Sequence, residues 1–388
     1  MKPDAPQEGI STRAVHAGSP PPVAGGPVVM PIHQTSTFFS DPDDTGDVRY
    51  TRYGNNPTHL AVADKIAALE GAEQAVLVAS GNAACAMALL SCAAAGDRVV
   101  AQQELYGGTL RVLNRELSRL GVEVTYVPVD GDWAAALEQP AAALLMELPV
   151  NPTLRVPDIQ TAAAAAHRAG VPLIVDATFA TPVNFRPLEY GADLVFHSAT
   201  KYLGGHSDLS AGVVAGSRRR VTPVLELVKS FGPVLDPHAA WLLERGIKSL
   251  AVRMDRHNGN GLEVARWLER HPQVERVHYP GLESHPDHDR ATSLMSGFGG
   301  VVSFVVRGGD EAALRLTRAL RVMCVAPSLG GVESLVSMPR YTSHAALSPE
   351  QRHAAGIDDG FIRLALGIED AADLIADLEQ ALHVARTG

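Results

Sequence analysis

A lysine set among small hydroxyl residues at the end of an apolar run is the most chemically suggestive pattern in this chain. Ala192 to Val195 reads as a buried parallel strand. It runs directly into Phe196-His197-Ser198-Ala199-Thr200-Lys201-Tyr202-Leu203-Gly204-Gly205-His206. An amine held at such a strand end is partly dry, so desolvation and nearby cations lower its pKa and free its lone pair. The Ser198 and Thr200 hydroxyls and the open glycine backbone suit a phosphate. The group that joins a phosphate to an aldehyde able to condense with lysine is pyridoxal phosphate. Without further support, a lysine here is more often a solvated strand end.

Val171-Pro172-Leu173-Ile174-Val175-Asp176-Ala177-Thr178-Phe179 supplies that support. It is a second apolar strand, with a carboxylate at its carboxyl end. In an open α/β sheet Asp176 and Lys201 emerge on the same edge, where ligands bind. A buried carboxylate there pairs with a protonated pyridine nitrogen and keeps the ring electron-poor. Alone, Asp176 is as readily a cap for the following helix; with Lys201 that reading loses most of its weight.

Further segments follow in order. They are Tyr50-Thr51-Arg52 ahead of Asn56-Pro57-Thr58, Ser80-Gly81-Asn82, Tyr106-Gly107-Gly108-Thr109, Glu147-Leu148-Pro149-Val150-Asn151-Pro152, Ser328-Leu329-Gly330-Gly331, and Arg363-Leu364 before Gly367-Ile368-Glu369. Together they resemble the Cys/Met-metabolism family of pyridoxal-phosphate enzymes, from about Ser11 to the C-terminus. The resemblance implies a role for each. Tyr50 and Arg52 reach the phosphate of a neighbouring subunit. Gly81 and Asn82 cradle the phosphate at a helix N-terminus, beside Ser198 and Thr200. Tyr106 stacks on the cofactor ring and is the acid for a departing thiolate. Asn151, Ser328 and Arg363 hold the substrate α-carboxylate. Lys201 is the covalent anchor and base, and Asp176 keeps the ring protonated. Tyr50 with Arg52 also reads as a surface pair, Tyr106 as a core aromatic, and Arg363 as an exposed ion-pair partner on a strand. A guanidinium fork, however, fits a carboxylate by two parallel bonds.

The elements that must position these residues are legible too. A chain of 388 residues exceeds one ordinary core, so two domains are expected. Apolar runs near 75–79, 98–102, 123–128, 142–148, 172–178, 194–200 and 211–216 alternate with Ala-rich helical stretches such as Thr161 to Ala169, the pattern of parallel α/β structure. Residues 236–268 read as a long helical connection, and Gly300 to Val306 and Phe361 to Leu366 as strands of a smaller unit. The fold class is α/β. The resemblance makes it the fold type I of pyridoxal-phosphate transferases, with a mostly parallel seven-stranded sheet and a smaller C-terminal α/β domain. The expected division is 1–54 as an arm contacting a neighbouring subunit, 55–250 as the cofactor-binding domain, and 251–388 as the small domain. A homotetramer, a dimer of dimers with shared active sites, follows from the resemblance alone.

A net charge of −10 leaves no electrostatic footprint for nucleic acid or an anionic membrane. Arg218-Arg219-Arg220 reads as a solvated turn. Cys85, Cys92 and Cys324 read as buried thiols of a reducing compartment. With no apolar leader and no run of membrane length, a cytoplasmic protein is expected. His285-Pro286-Asp287-His288-Asp289 has ligand types but reads as a solvated loop, and no metal is expected. Dinucleotide and P-loop signatures are absent.

The reaction implied is γ-elimination from methionine or cystathionine, giving a thiol, 2-oxobutanoate and ammonia. The alternative is γ-replacement, as by a cystathionine γ-synthase or an O-acylhomoserine sulfhydrylase. Pro327, after Val325 and Ala326, stands where cystathionine enzymes often carry Glu, which favours a short thioether. Gly108 stands where methionine γ-lyases commonly carry Cys. Asn82 replaces the family's usual Met, and Asn55 adds one residue before Asn56-Pro57-Thr58.

Overall fold

The structure is a computed structural model that describes residues 8–43, 48–342, 344–345 and 348–387. Residues 1–7 and 44–47 of the expected arm, and 343, 346, 347 and 388 of the expected small domain, lie outside the described residues.

All seven apolar runs form strands, and all but Glu123–Val127, at one edge, are largely buried, as strands of a covered α/β sheet should be. They are β1 (Gln74–Val78), β2 (Arg98–Gln102), β3 (Glu123–Val127), β4 (Ala143–Glu147), β5 (Leu173–Asp176), β6 (Leu194–Ser198) and β7 (Gly212–Gly216). They make one sheet in the order β1-β7-β6-β5-β4-β2-β3. Neighbours from β6 to β3 are parallel; β7 runs antiparallel to both β1 and β6. Register sets what meets at the carboxyl edge: Glu147 lies opposite Asp176, and Asp176 opposite Phe196. Side-chain caps start the helices that cover the sheet. The Asn56 carboxamide accepts from the Thr58 N–H ahead of helix Pro57–Glu70, and Ser80 accepts from Ala83 N–H ahead of helix Gly81–Leu90.

A second sheet contains β8 (Val274–His278), β9 (Val301–Val306), β10 (Cys324–Val325), β11 (Leu335–Ser337) and β12 (Phe361–Ala365), in the order β10-β11-β12-β9-β8. Helices Pro237–Ile247 and Leu250–Arg270 join the two sheets; the chain breaks at Lys248 and Ser249 rather than running on as one helix. One apolar cluster runs from Val213 and Val195 through Leu250 and Met254 to Phe304 and Leu364, so the sheets share a core.

Three expectations are corrected. His285 to Asp289 is not a solvated loop: His285 and Asp287 are buried, and Asp287 pairs with Arg155 (Nε–Oδ2 2.5 Å) and accepts from Val156 N–H. Arg218-Arg219-Arg220 begins helix Arg218–Phe231, with Arg220 against Asp193. Of the cysteines only Cys85 is buried; Cys92 lies past its helix and is half-buried, and Cys324 is exposed on β10. Among the described residues no group of three or more His, Cys, Asp or Glu could hold a metal, and no helix is long and apolar enough to cross a membrane.

Candidate active site

The carboxyl edge of β4, β5 and β6 opens into a cavity of about 700 Å³, lined among others by Gly81, Asn82, Tyr106, Asn151, Asp176, Ser198, Thr200, Lys201, Ser328 and Arg363. Ten of the twelve site residues expected from the sequence are therefore brought together.

Lys201 lies on a tight turn: its N–H donates to Ser198 O (3.1 Å), while Thr200 exchanges bonds with the Ala211 backbone. Its Nζ donates to Ser328 Oγ at 2.7 Å. Burial first, and then the nearby Arg363 cation, hold the amine down to about 8. Asp176 ends β5 beside it. Its Oδ1 accepts from Thr178 N–H at 2.9 Å and Thr178 Oγ1–H at 2.5 Å, and the same hydroxyl accepts from Ser198 N–H at 2.9 Å. Burial pushes the Asp176 carboxyl up, against the pull of the Thr178 donors.

Gly81 begins its helix directly over Ser198. A Cβ there would lie 2.6 Å from the Ser198 Cβ, so only glycine fits. Helix-start N–H groups have no partner within the helix. With the Ser198 hydroxyl, and with the Thr200 hydroxyl that is bonded here to the Ala211 backbone, they are donors of the type that suits a phosphate dianion. Tyr106 is 44% exposed at the cavity mouth. A Cβ on Gly108 would fall 2.4 Å from its ring and 2.8 Å from Asn82 Oδ1, so a side chain at that position would displace one or both.

Arg363 on β12 is buried. Nη1 donates to Asn151 Oδ1 at 2.9 Å and Nη2 to Ser328 O at 2.8 Å, while the buried Nε–H meets no partner. Burial lowers its pKa to about 10. Ser328 itself holds a φ of 110°, a conformation that side-chain-bearing residues rarely adopt.

Tyr50 and Arg52 are not brought to the cavity within one chain. The Arg52 guanidinium donates to Lys229 O and lies over the Tyr50 and Tyr53 rings at 5.5 and 5.0 Å. The additional Asn55 has a local use: its Oδ1 accepts from Tyr50 N–H at 2.9 Å. The expectations from sequence gave no part to Thr178 or Glu147. Both line the cavity, and the signal was positional: each is a polar residue at or just past the end of an apolar strand.

A buried carboxylate and a lowered amine lining one cavity, a helix-start cradle and a buried guanidinium with a spare donor fit a phosphate-bearing aldehyde cofactor together with an amino acid. The comparisons agree. Residues 11–383 match the family model described as Cys/Met metabolism PLP-dependent enzyme. An L-methionine gamma-lyase of Fusobacterium nucleatum subsp. polymorphum is 40% identical, over 97% of this chain and 98% of its own. An O-succinylhomoserine sulfhydrylase of Pseudomonas aeruginosa is 42% identical, over 86% of this chain and 83% of its own. The solved cystathionine gamma synthase of Xanthomonas oryzae pv. oryzae, in complex with aminoacrylate and cysteine, superposes with a TM-score of 0.94 at 36% identity, covering 97% of this chain and 98% of that one.

Proposed function

The chain belongs to the Cys/Met metabolism PLP-dependent enzymes, and we propose that it is a γ-lyase acting on a sulfur amino acid, methionine or cystathionine. One water is consumed, and the products are a thiol, 2-oxobutanoate and ammonia. One observation carries the amino-acid part of this reading: Arg363 is buried, both its hydrogen-bond partners are neutral, and its Nε–H is unmet. A buried cation so placed is costly until an anion arrives. A substrate α-carboxylate meets that need through the guanidinium fork.

Gly81, Asn82, Ser198 and Thr200 would hold the cofactor phosphate, Asp176 its ring nitrogen and Lys201 its aldehyde carbon. Pyridoxal phosphate, when bound, supplies an electron-accepting ring that stabilises negative charge at the substrate Cα. Lys201 takes the proton from Cα, its amine already lowered towards neutrality. The same amine would pass that proton on to the bound cofactor and, neutral again, take one from Cβ, which lets the γ substituent leave. Asp176 keeps negative charge where the ring nitrogen would carry a proton. The Tyr106 hydroxyl gives a proton to the departing sulfur, and Asn151 and Ser328 O keep Arg363 aimed at the carboxylate.

Pro327, Phe179 and Leu329 give the cavity an apolar wall, which supports a short thioether over a second zwitterion. A second reading, γ-replacement on an O-acylhomoserine, is favoured by the equal likeness to a sulfhydrylase. Incubating the holoenzyme with methionine, cystathionine and O-succinylhomoserine separates the two. Rapid 2-oxobutanoate from either thioether is expected; products formed only when a thiol or sulfide is added would overturn the lyase reading.

A further inference from the structure

Glu147 has an environment that its surroundings do not require. It ends β4 at 3% exposed, after four wholly apolar and equally buried residues. It lies in register with a second buried carboxylate, Asp176. Burial and then that neighbour push its carboxyl up to about 8. Packing alone would be served more cheaply by an apolar or amide side chain.

What the carboxylate does hold is two backbone amides from separate segments. Oε2 accepts from Tyr106 N–H at 2.7 Å, and Oε1 accepts from Asn151 N–H at 2.7 Å. Tyr106 immediately precedes helix Gly107–Arg111, so the position of its N–H sets where the ring enters the cavity. Asn151 carries the carboxamide that orients Arg363. The Glu147 backbone is fixed in turn, its N–H donating to Gln102 Oε1 at 3.2 Å.

We propose that Glu147 is a positioning residue, a clamp that sets Tyr106 and Asn151 at a fixed separation. The grip on the cofactor ring and the grip on the substrate carboxylate thereby share one carboxylate. The inference rests on the functional reading above, which puts Asn151 at the carboxylate end, and on the place against the cofactor ring that the resemblance gives Tyr106. Both acceptor oxygens are needed. Glutamine has one oxygen and would turn an N–H donor towards the other amide. Alanine releases both.

The test measures two constants in each protein: the dissociation constant of pyridoxal phosphate from the apoprotein, by equilibrium titration, and KM for the best substrate of the panel. Leaving a buried backbone N–H without its acceptor is worth about tenfold or more in an equilibrium constant. Glu147→Ala is expected to raise both constants by about that factor. A merely structural role would lower the melting temperature of the apoprotein and leave both constants in place. If either constant in Glu147→Ala stays within about twofold of the parent, the clamp is overturned. Should that variant fail to fold, the isosteric Glu147→Gln decides: a rise beyond twofold in at least one constant supports the clamp, and no rise in either overturns it. A parent chain that neither binds pyridoxal phosphate nor turns over any amino acid overturns the functional reading itself, before any variant is compared.

Discussion

The Lys201 amine is the group whose chemistry depends most on its surroundings. Burial and Arg363 lower it from 10.5 to about 8, because both disfavour the charged form. Only the neutral amine attacks an aldehyde. The rate at which the apoprotein captures pyridoxal phosphate is therefore expected to rise about tenfold per pH unit below pH ~8 and to level off above it. A stopped-flow profile that keeps climbing towards pH 10 would mean that the amine is solvated. At this scale, residue type and strand-end position singled out Lys201 and Asp176 in the sequence, whereas Arg363, in the middle of β12, was singled out by the resemblance. Glu147 and Thr178 were not, since their work is to accept backbone N–H groups from segments that only the folded sheet brings near. Thr178 bridges Asp176 to Ser198, which lies twenty residues on.

Among the elements, the strands of the large sheet announce themselves by apolar runs, and each of the seven was legible. The strands that were not legible are short or half-wet. β10 has two residues and β11 three, and β8, Val-Glu-Arg-Val-His, exposes its Glu and Arg. The segment at His285 escaped because its burial depends on Arg155, which is remote in sequence. Helix Ile10–His16 shows how a short element is held. The Lys65 amine, buried in helix Pro57–Glu70, donates to Ala14 O and Val15 O at 3.0 Å each and lies 3.9 Å from Glu244. Seven residues would scarcely persist as a helix unaided. Lys65→Met is expected to cost roughly 3 kcal/mol and to let amides 10–16 exchange faster than the rest of the chain. Uniform loss of protection across the molecule, or none, would show that Lys65 does not anchor this helix.

For the whole molecule, the sheet edge assembles most of a site from one chain but leaves Tyr50 and Arg52 outside it. Both lie in the segment expected to act on a neighbouring subunit, and this placement agrees with such a role without requiring it. If the role holds, the protein sediments as at least twice its 41.0 kDa chain, and as four times that mass if it is the dimer of dimers that the resemblance implies. Arg52→Ala should then leave that mass unchanged while weakening pyridoxal phosphate binding about tenfold, the worth of one charged contact to phosphate. A monomer that binds the cofactor as tightly as the parent assembly would contradict it. The tetramer had no signal of its own in composition or spacing; the arm was marked by the Pro- and Gly-rich, aperiodic residues 1 to about 50, and the division at 250 falls within the stretch read as a helical connection.

The account rests on a covalent bond to one side chain, and the chain has only five lysines: Lys2, Lys65, Lys201, Lys229 and Lys248. Borohydride reduction of the cofactor-loaded protein, followed by proteolysis and peptide mass spectrometry, reads that bond directly. One phosphopyridoxyl group per chain on Lys201, lost in a folded Lys201→Ala variant, is the predicted result. A label carried by another lysine, or retained by Lys201→Ala, would contradict it.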